Sequence, residues 1–217
     1  MALPTKAQDK ETELFYLPAG RASYPKLFAD APNKMRPEEK KRDDGSKYYL
    51  YSTTILIPKS CDISEIEAAI EAKAKEKFGK KWDEVKFPIR DGDTDKVYKK
   101  KPECNGHWVI AIRSYDREVS VGKYVSDGKG GKKVERITDH KEVYPGCWLK
   151  ACVTLFTYDR PDSKGVSLGL RSLLKAKDDV AFVGSSDAAE DFQGQDFDDD
   201  ENVEMFDEVD EEEEFEV

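Results

Sequence analysis

Charge is segregated along this chain, and the segregation decides which part of it can fold. No Lys or Arg occurs after Lys177, and the stretch from Asp187 to Val217 holds 17 Asp and Glu. Such a stretch repels itself and has too few apolar side chains to offset the entropy of ordering. We therefore expect residues 184–217 to be a disordered acidic tail and residues 1–12 a flexible N-terminus. The folded domain is expected over 13–183. The 217-residue chain carries −10 in total, but residues 1–186 keep all 36 Lys and Arg against 29 of the 46 acids, so the body carries +7. A cationic body implies a polyanionic partner, and a tethered polyanion implies a separate job for the tail.

Within the body, apolar residues recur mostly at the strand period. Short β-type runs lie at 14–17 and 23–28. Residues 47–57, KYYLYSTTILI, read as a long strand that Pro58 ends. Residues 107–115, 118–124, 147–158 and 166–170 add further strands. One segment has helical spacing instead: Ile63, Ile66, Ile70, Ala74 and Phe78 form a single stripe. This predicts an amphipathic helix over 62–78, with Asp62 as cap, Glu65 at the capping-box position and Gly79 as the stop. Residues 30–46 and 80–105 read as charged loops, and 127–133, DGKGGKK, as a Gly-rich turn. The sum is a mainly-β fold, a small closed or partly open barrel with one helix.

Alternation within the strands separates core faces from the rest. In 148–158, Leu149, Ala151, Val153 and Leu155 form an apolar face. The opposite face reads Trp148, Lys150, Cys152, Thr154, Phe156, Tyr158, a mixture a core would not hold. In 107–115, Trp108, Ile110 and Ile112 fit the core, while Val109, Ala111, Arg113 and Tyr115 face away. Both faces of 47–57 are apolar, so its core side stays open; Lys47, Tyr49 and Tyr51 share one of them. Aromatics interleaved with cations are what single-stranded nucleic acid needs. Unpaired bases stack on rings, and Lys and Arg neutralise phosphates. The candidate groove residues are Tyr24, Lys26, Tyr49, Arg113, Tyr115, Trp148, Lys150 and Tyr158. Arg90, Lys99, Lys100, Lys132 and Lys133 are candidate phosphate contacts from loops.

Other chemistry is sparse. Cys104 and His107 have half-zinc-site spacing, but Cys147 and Cys152 are five apart, which on a strand points them to opposite faces. Asp91, Asp93 and Asp95 form an acidic turn that could attract a divalent ion in a nuclease, with no second acidic motif on a neighbouring strand. No nucleophile elbow, phosphate loop or HExxH helix is present. We expect no enzyme, metal or cofactor, no membrane span, and a cytosolic protein with reduced thiols. The tail, tethered at an effective concentration on the order of millimolar, should compete with nucleic acid. Its Phe192, Phe197, Phe206 and Phe215 sit among acids. Phe206 and Phe215 with Glu211, Glu212, Glu213 and Glu214 form a handle for a basic, partly apolar pocket on another protein. A rival reading makes the tail the active element, a nucleic-acid mimic or a holder of a basic partner, with the body as its scaffold.

The ordered set RASYPKLF (21–28), TILIPK (54–59), FPIRDGD (87–93), VYPGCWLKACV (143–153) and KGVSLGL (164–170) resembles a family of bacteriophage single-stranded-DNA-binding proteins, over roughly residues 14–183. The resemblance implies a five-stranded OB-fold-type barrel over 13–183 that coats and protects single-stranded DNA in phage replication and recombination; duplex DNA is a candidate second, weaker partner of the body. It also implies action in the cytoplasm of an infected bacterial host. The tail would then contact replication proteins (polymerase, helicase-primase or recombinase) and restrain DNA binding. Two departures stand out. The helix follows the second strong strand, where the simplest OB layout has it between the third and fourth. The last residue is Val217, so the terminal aromatic of the family falls to Phe215.

Overall fold

A computed structural model describes residues 13–42 and 44–182; the expected N-terminal arm and the tail, with Phe206, Glu211, Glu212, Glu213, Glu214 and Phe215, lie outside them. In chain order the elements are β1 (Phe15–Tyr16), β2 (Gly20–Lys26), β3 (Glu38–Lys41), β4 (Lys47–Pro58), α1 (Ser64–Phe78), β5 (Ile89–Asp91), β6 (His107–Tyr115), β7 (Ser120–Ser126), β8 (Lys132–Arg136), β9 (Trp148–Arg160) and β10 (Ser163–Lys177).

Five strands pair into a closed ring. β2 pairs with β4, β4 with β6, β6 with β10, β10 with β9, and β9 with β2. Every pairing is antiparallel except β6 with β10. The mainly-β class and the one α-helix match the expectation, and five is the number of strands the OB-type reading requires. The helix sits between the second and third ring strands. The remaining strands extend the ring: β3 lies on β4, β5 on β6, β1 on β9, and the β7–β8 hairpin on β10.

Closing a sheet on itself gives every strand an inside and an outside. Inside are Tyr51, Ile55 and Ile57 of β4, Ile110 and Ile112 of β6, Leu149, Ala151 and Val153 of β9, and Val166, Leu168 and Leu170 of β10, all buried. The core side of 47–57 is thus the odd-numbered one. Helix α1 closes the ring's interior with Ile66, Ile70 and Ala74, helped by Ile63. It starts two residues later than the sequence predicts, because Asp62 accepts from the Ser64 N–H at 2.9 Å and so stands before the first turn.

Three further expectations change. β10 runs to Lys177, well beyond 170, because a register shift between Leu170 and Ser172 breaks the alternation and then resumes with Leu173 inside. Lys132 and Lys133 belong to strand β8 and not to the preceding turn. Val109 is buried, although on the outward side, in a second small cluster with Leu56 and Cys104.

That second cluster is completed by the turn before β6 and by the chain after β10. Phe182 and Tyr98 pack on it. Phe182 donates its N–H to the Pro145 carbonyl at 3.0 Å and lies under the Arg21 guanidinium, 4.1 Å from the ring centroid. The strap between is pinned as well: Trp148 Nε1 donates to Asp179 at 2.6 Å, and Lys175 pairs with Asp178 at 2.7 Å. The folded body therefore reaches Phe182. A chain ending at Lys177 should lose about 2 kcal/mol of stability relative to one ending at Ser186, with Tm lower by roughly 4–8 °C. Equal melting curves for the two truncations would show that the strap contributes nothing.

Candidate nucleic-acid interface

The outward side of the ring is where the alternation leaves unusual residues. Leu50, Ser52 and Thr54 of β4 stand opposite Tyr115, Arg113 and Ala111 of β6. β2 adds Lys26, registered on Ser52. Between Ser23 and Lys26 the register slips, and Pro25 has no N–H to give the ladder. Tyr24 takes a φ of 50° there and is turned out, 60% exposed. Tyr24, Lys26, Ser52, Thr54, Ala111 and Arg113 line a cleft of about 180 Å³.

The face continues across β10 at a residue with no side chain. Gly169 is registered on Arg113 on one side and on Thr154 on the other. A Cβ there would stand 2.6 Å from Thr154 Oγ1 and 3.7 Å from the Phe156 ring. Past Gly169 the face reaches Phe156, 38% exposed, and then Tyr158, whose ring lies beside Gly165. At one end, Tyr48 and Tyr115 sit 6.2 Å apart between ring centroids, with the Arg42 guanidinium 4.9 Å above Tyr48. At the other end Leu56, Val109 and Phe182 seal the sheet. The result is a floor of small residues flanked by rings and cations.

The structure brings Tyr24, Lys26, Arg113 and Tyr115 together and sets Tyr158 at the far side of the same face. Arg90 pairs with Val109 on this side, four residues and about 13 Å along the strand from Arg113; its guanidinium lies 4.0 Å from Asp95. Lys99 and Lys100 stand on the rim in a single 3-10 turn. Tyr49 points to the inward side but is 48% exposed at the mouth of the ring. Its neighbour Tyr48 is the one on the outward face. Lys132 and Lys133 lie on the hairpin beyond β10. Trp148 and Lys150 occupy the lower half of β9, where the Trp148 ring carries Lys177 at 4.4 Å.

Sequence reasoning misses four contributors. Phe156 had a signal, since it belongs to the outward set of β9. Tyr48 was hidden because both faces of its strand are apolar. Gly169 gains meaning only from its two registered partners. Lys101 places its ammonium 4.6 Å from the Tyr24 centroid and 3.5 Å from its hydroxyl, a contact over 77 residues that no local pattern announces.

Other polar groups are engaged. Lys59 holds Asp91 at 2.6 Å and Asp93 at 2.7 Å and keeps both carboxyls below the usual range. Cys147 is buried in the core, while Cys152 faces out. Among the described residues, no three His, Cys, Asp or Glu gather so as to hold a metal ion, and no helix is long and apolar enough to cross a membrane.

One acid intrudes on the face. Glu38 pairs with Lys26 and, at 2.7 Å, with Lys40. Hydrogen bonds from these two lysines lower its pKa from 4.5 to about 2. Because the folded value is the lower one, the stability this cluster adds is fully present above pH 4.5 and is lost as pH falls toward 2. With 38% of the Glu38 side chain exposed, solvent screening keeps the contribution small. Arg113 and Lys101 have no carboxylate within ion-pair distance among the described residues. Replacing Lys26 by Ala should raise the Glu38 midpoint, read by carboxyl-carbon NMR, toward 4.5. An unmoved midpoint would mean Lys26 does not hold it.

Comparison with known proteins follows the same lines. The chain is similar to the single-stranded DNA-binding protein of bacteriophage Enc34, seen in complex with ssDNA, at 27% identity over 78% of this chain and 89% of that one, with a TM-score of 0.58. A further structure of the Enc34 protein matches at 25% identity over 82% and 88%, TM-score 0.56. The gp2.5 single-stranded DNA binding protein of bacteriophage T7 shares the fold at 16% identity, over 90% of this chain and all of that one, TM-score 0.54. A search of the curated proteins finds no match. The family model described as Enterobacter phage Enc34, ssDNA-binding protein, matches residues 17–203, and the chain belongs to that family.

Proposed function

We propose that this chain binds single-stranded DNA across the outward face of β2, β4, β6, β10 and the upper half of β9. The observation that carries the reading is the floor of Ser52, Thr54, Ala111 and Gly169 between flanking rings and cations. Small side chains let a strand approach the sheet. Tyr24, Tyr115, Phe156 and Tyr158 offer faces for base stacking, about 1–3 kcal/mol each. Arg113, Lys26 and Lys101 neutralise phosphates, with Arg90, Lys99 and Lys100 as outer contacts. Lys132 and Lys133 stand apart from this face and would meet only DNA that extends beyond β10. A duplex hides its base faces and could use only the cations, so it should bind more weakly. Membership in the Enc34 family supports the same reading.

In this reading residues 13–183 form the binding domain, which coats and protects single strands during phage replication and recombination in the host cytoplasm. It acts by binding and carries out no bond-making step. The acidic tail competes with DNA for the body and recruits polymerase, helicase-primase or recombinase.

Titration of a fluorescently labelled oligo-dT, followed by anisotropy at two salt concentrations, tests this directly. Affinity should fall as salt rises. Arg113→Ala should weaken binding about tenfold and reduce the salt slope by about 0.7, the share of one single-strand phosphate contact. Salt-indifferent binding, or none, would overturn the reading. A chain ending at Ser186 should bind more tightly than the full chain; equal affinity would remove the tail from the account.

A further inference from the structure

The outward side of the sheet continues below the face described above. β9 and β10 run on past Thr154 and Gly169, joined by β1 on one side and the β7–β8 hairpin on the other. The register sets Tyr16 on Cys152, Ser172 on Ser120, Leu174 on Gly122 and Tyr124 on Val134. A second cleft opens here, of about 1340 Å³. Its floor is mostly small, Cys152, Ser172, Ser120 and Gly122, with Leu174 beside Gly122. Tyr16, Tyr124 and Val134 stand along it, 76%, 55% and 60% exposed. Lys150, Lys177 and Arg136 bring positive charge, Arg136 already paired with Glu118, while Asp62 and Glu65 stand on the margin near α1. Three large apolar side chains exposed in one cleft mark a surface that something covers.

The geometry points to this cleft as a second nucleic-acid site, which takes the continuation of a single strand already lying on the first face. The inference rests on the single-stranded-DNA reading above. Two observations select the occupant. The clefts share β9 and β10, and Thr154 on the first face is four residues, about 13 Å, from Lys150 in the second. The second cleft also repeats the combination of the first, flat rings beside cations over a mostly small floor that includes Leu174, which suits stacked bases and phosphates. A protein partner would meet exposed Lys150 in mid-cleft, and Lys is depleted at such contacts.

The site requires the affinity to depend on length in a particular way. Oligo-dT of about 5 and about 15 nucleotides spans the usual range of site sizes on one OB-type domain. The full-length chain should bind the long oligomer more than tenfold more tightly than the short one. In the double variant Tyr16→Ala, Tyr124→Ala, both at exposed positions, the short oligomer should bind as before and the gain with length should shrink to a few-fold. Sedimentation of the free variant should match that of the original chain.

Each other outcome overturns the proposal. If the variant tracks the original chain at both lengths, the cleft does not hold DNA. If it loses affinity equally for both, the cleft is part of a single short site. If it binds the short oligomer more tightly, the cleft holds the chain's own acidic tail. If it changes oligomeric state without changing length dependence, the cleft is an interface between copies. Absence of oligo-dT binding by the original chain would instead remove the underlying reading, and Arg113→Ala separates the two failures, since it weakens both lengths when the first face alone binds.

Discussion

The ring closes through β10, and everything outside it depends on how that strand is shared. β10 is antiparallel to β9 along most of its length and meets β6 in parallel at Gly169 opposite Arg113. This closure commits Val166, Leu168 and Leu170 to the interior together with Ile110, Ile112 and Val153. Fully burying side chains of this kind contributes about 1.5–3 kcal/mol each, so the inward parity is strongly fixed. The outward parity follows at no further cost in specificity, because a one-residue slip would bring Arg113 inside and put Ile112 in water. The interface is in this sense the reverse side of the core.

Gly169 shows how the same constraint shapes the face. A strand that must fit between β6 and β9 meets Thr154 on its outward side, with no room for a side chain. The steric demand of the join thus produces a smooth floor where a nucleic acid strand could lie close to the sheet. The ends of the floor are set by other contacts. Tyr48 against Tyr115 marks one, and Phe182 in its small cluster with Leu56 and Val109 marks the other. The strap that carries Phe182 is held by Trp148 on Asp179 and by the Arg21 guanidinium over the Phe182 ring.

Much of this was legible in the residues, and the failures have physical causes. In β9, four alternating apolar residues against a mixed face left one parity, and Leu149, Ala151 and Val153 are indeed buried. In β4 the alternation fails because Leu56, on the outward side, is buried too, under Cys104 and Phe182. Tyr49 and Tyr48 could not be told apart for that reason. The apolar period stops short of the true end of β10 because the register shift interrupts it at Arg171. Contacts such as Lys101 on Tyr24 arise where a chain of short turns folds over a strand distant in sequence, and no spacing rule reaches them. The family resemblance read from scattered motifs holds for the chain, as the match over 17–203 shows. It did not settle which ring of each strand faces out.

The central claim is that one outward face, floored by Ser52, Thr54, Ala111 and Gly169, receives single-stranded DNA. Backbone amide chemical-shift mapping with a short oligo-dT tests it most directly, because these residues sit in rigid strands and carry little side chain of their own. The account predicts the largest shifts at Ser52, Thr54, Ala111, Arg113 and Gly169, with small shifts at Ile55, Ile110 and Leu168 behind them. Shifts confined to β3, α1 or the turn at 127–131, with those five amides unmoved, would contradict it.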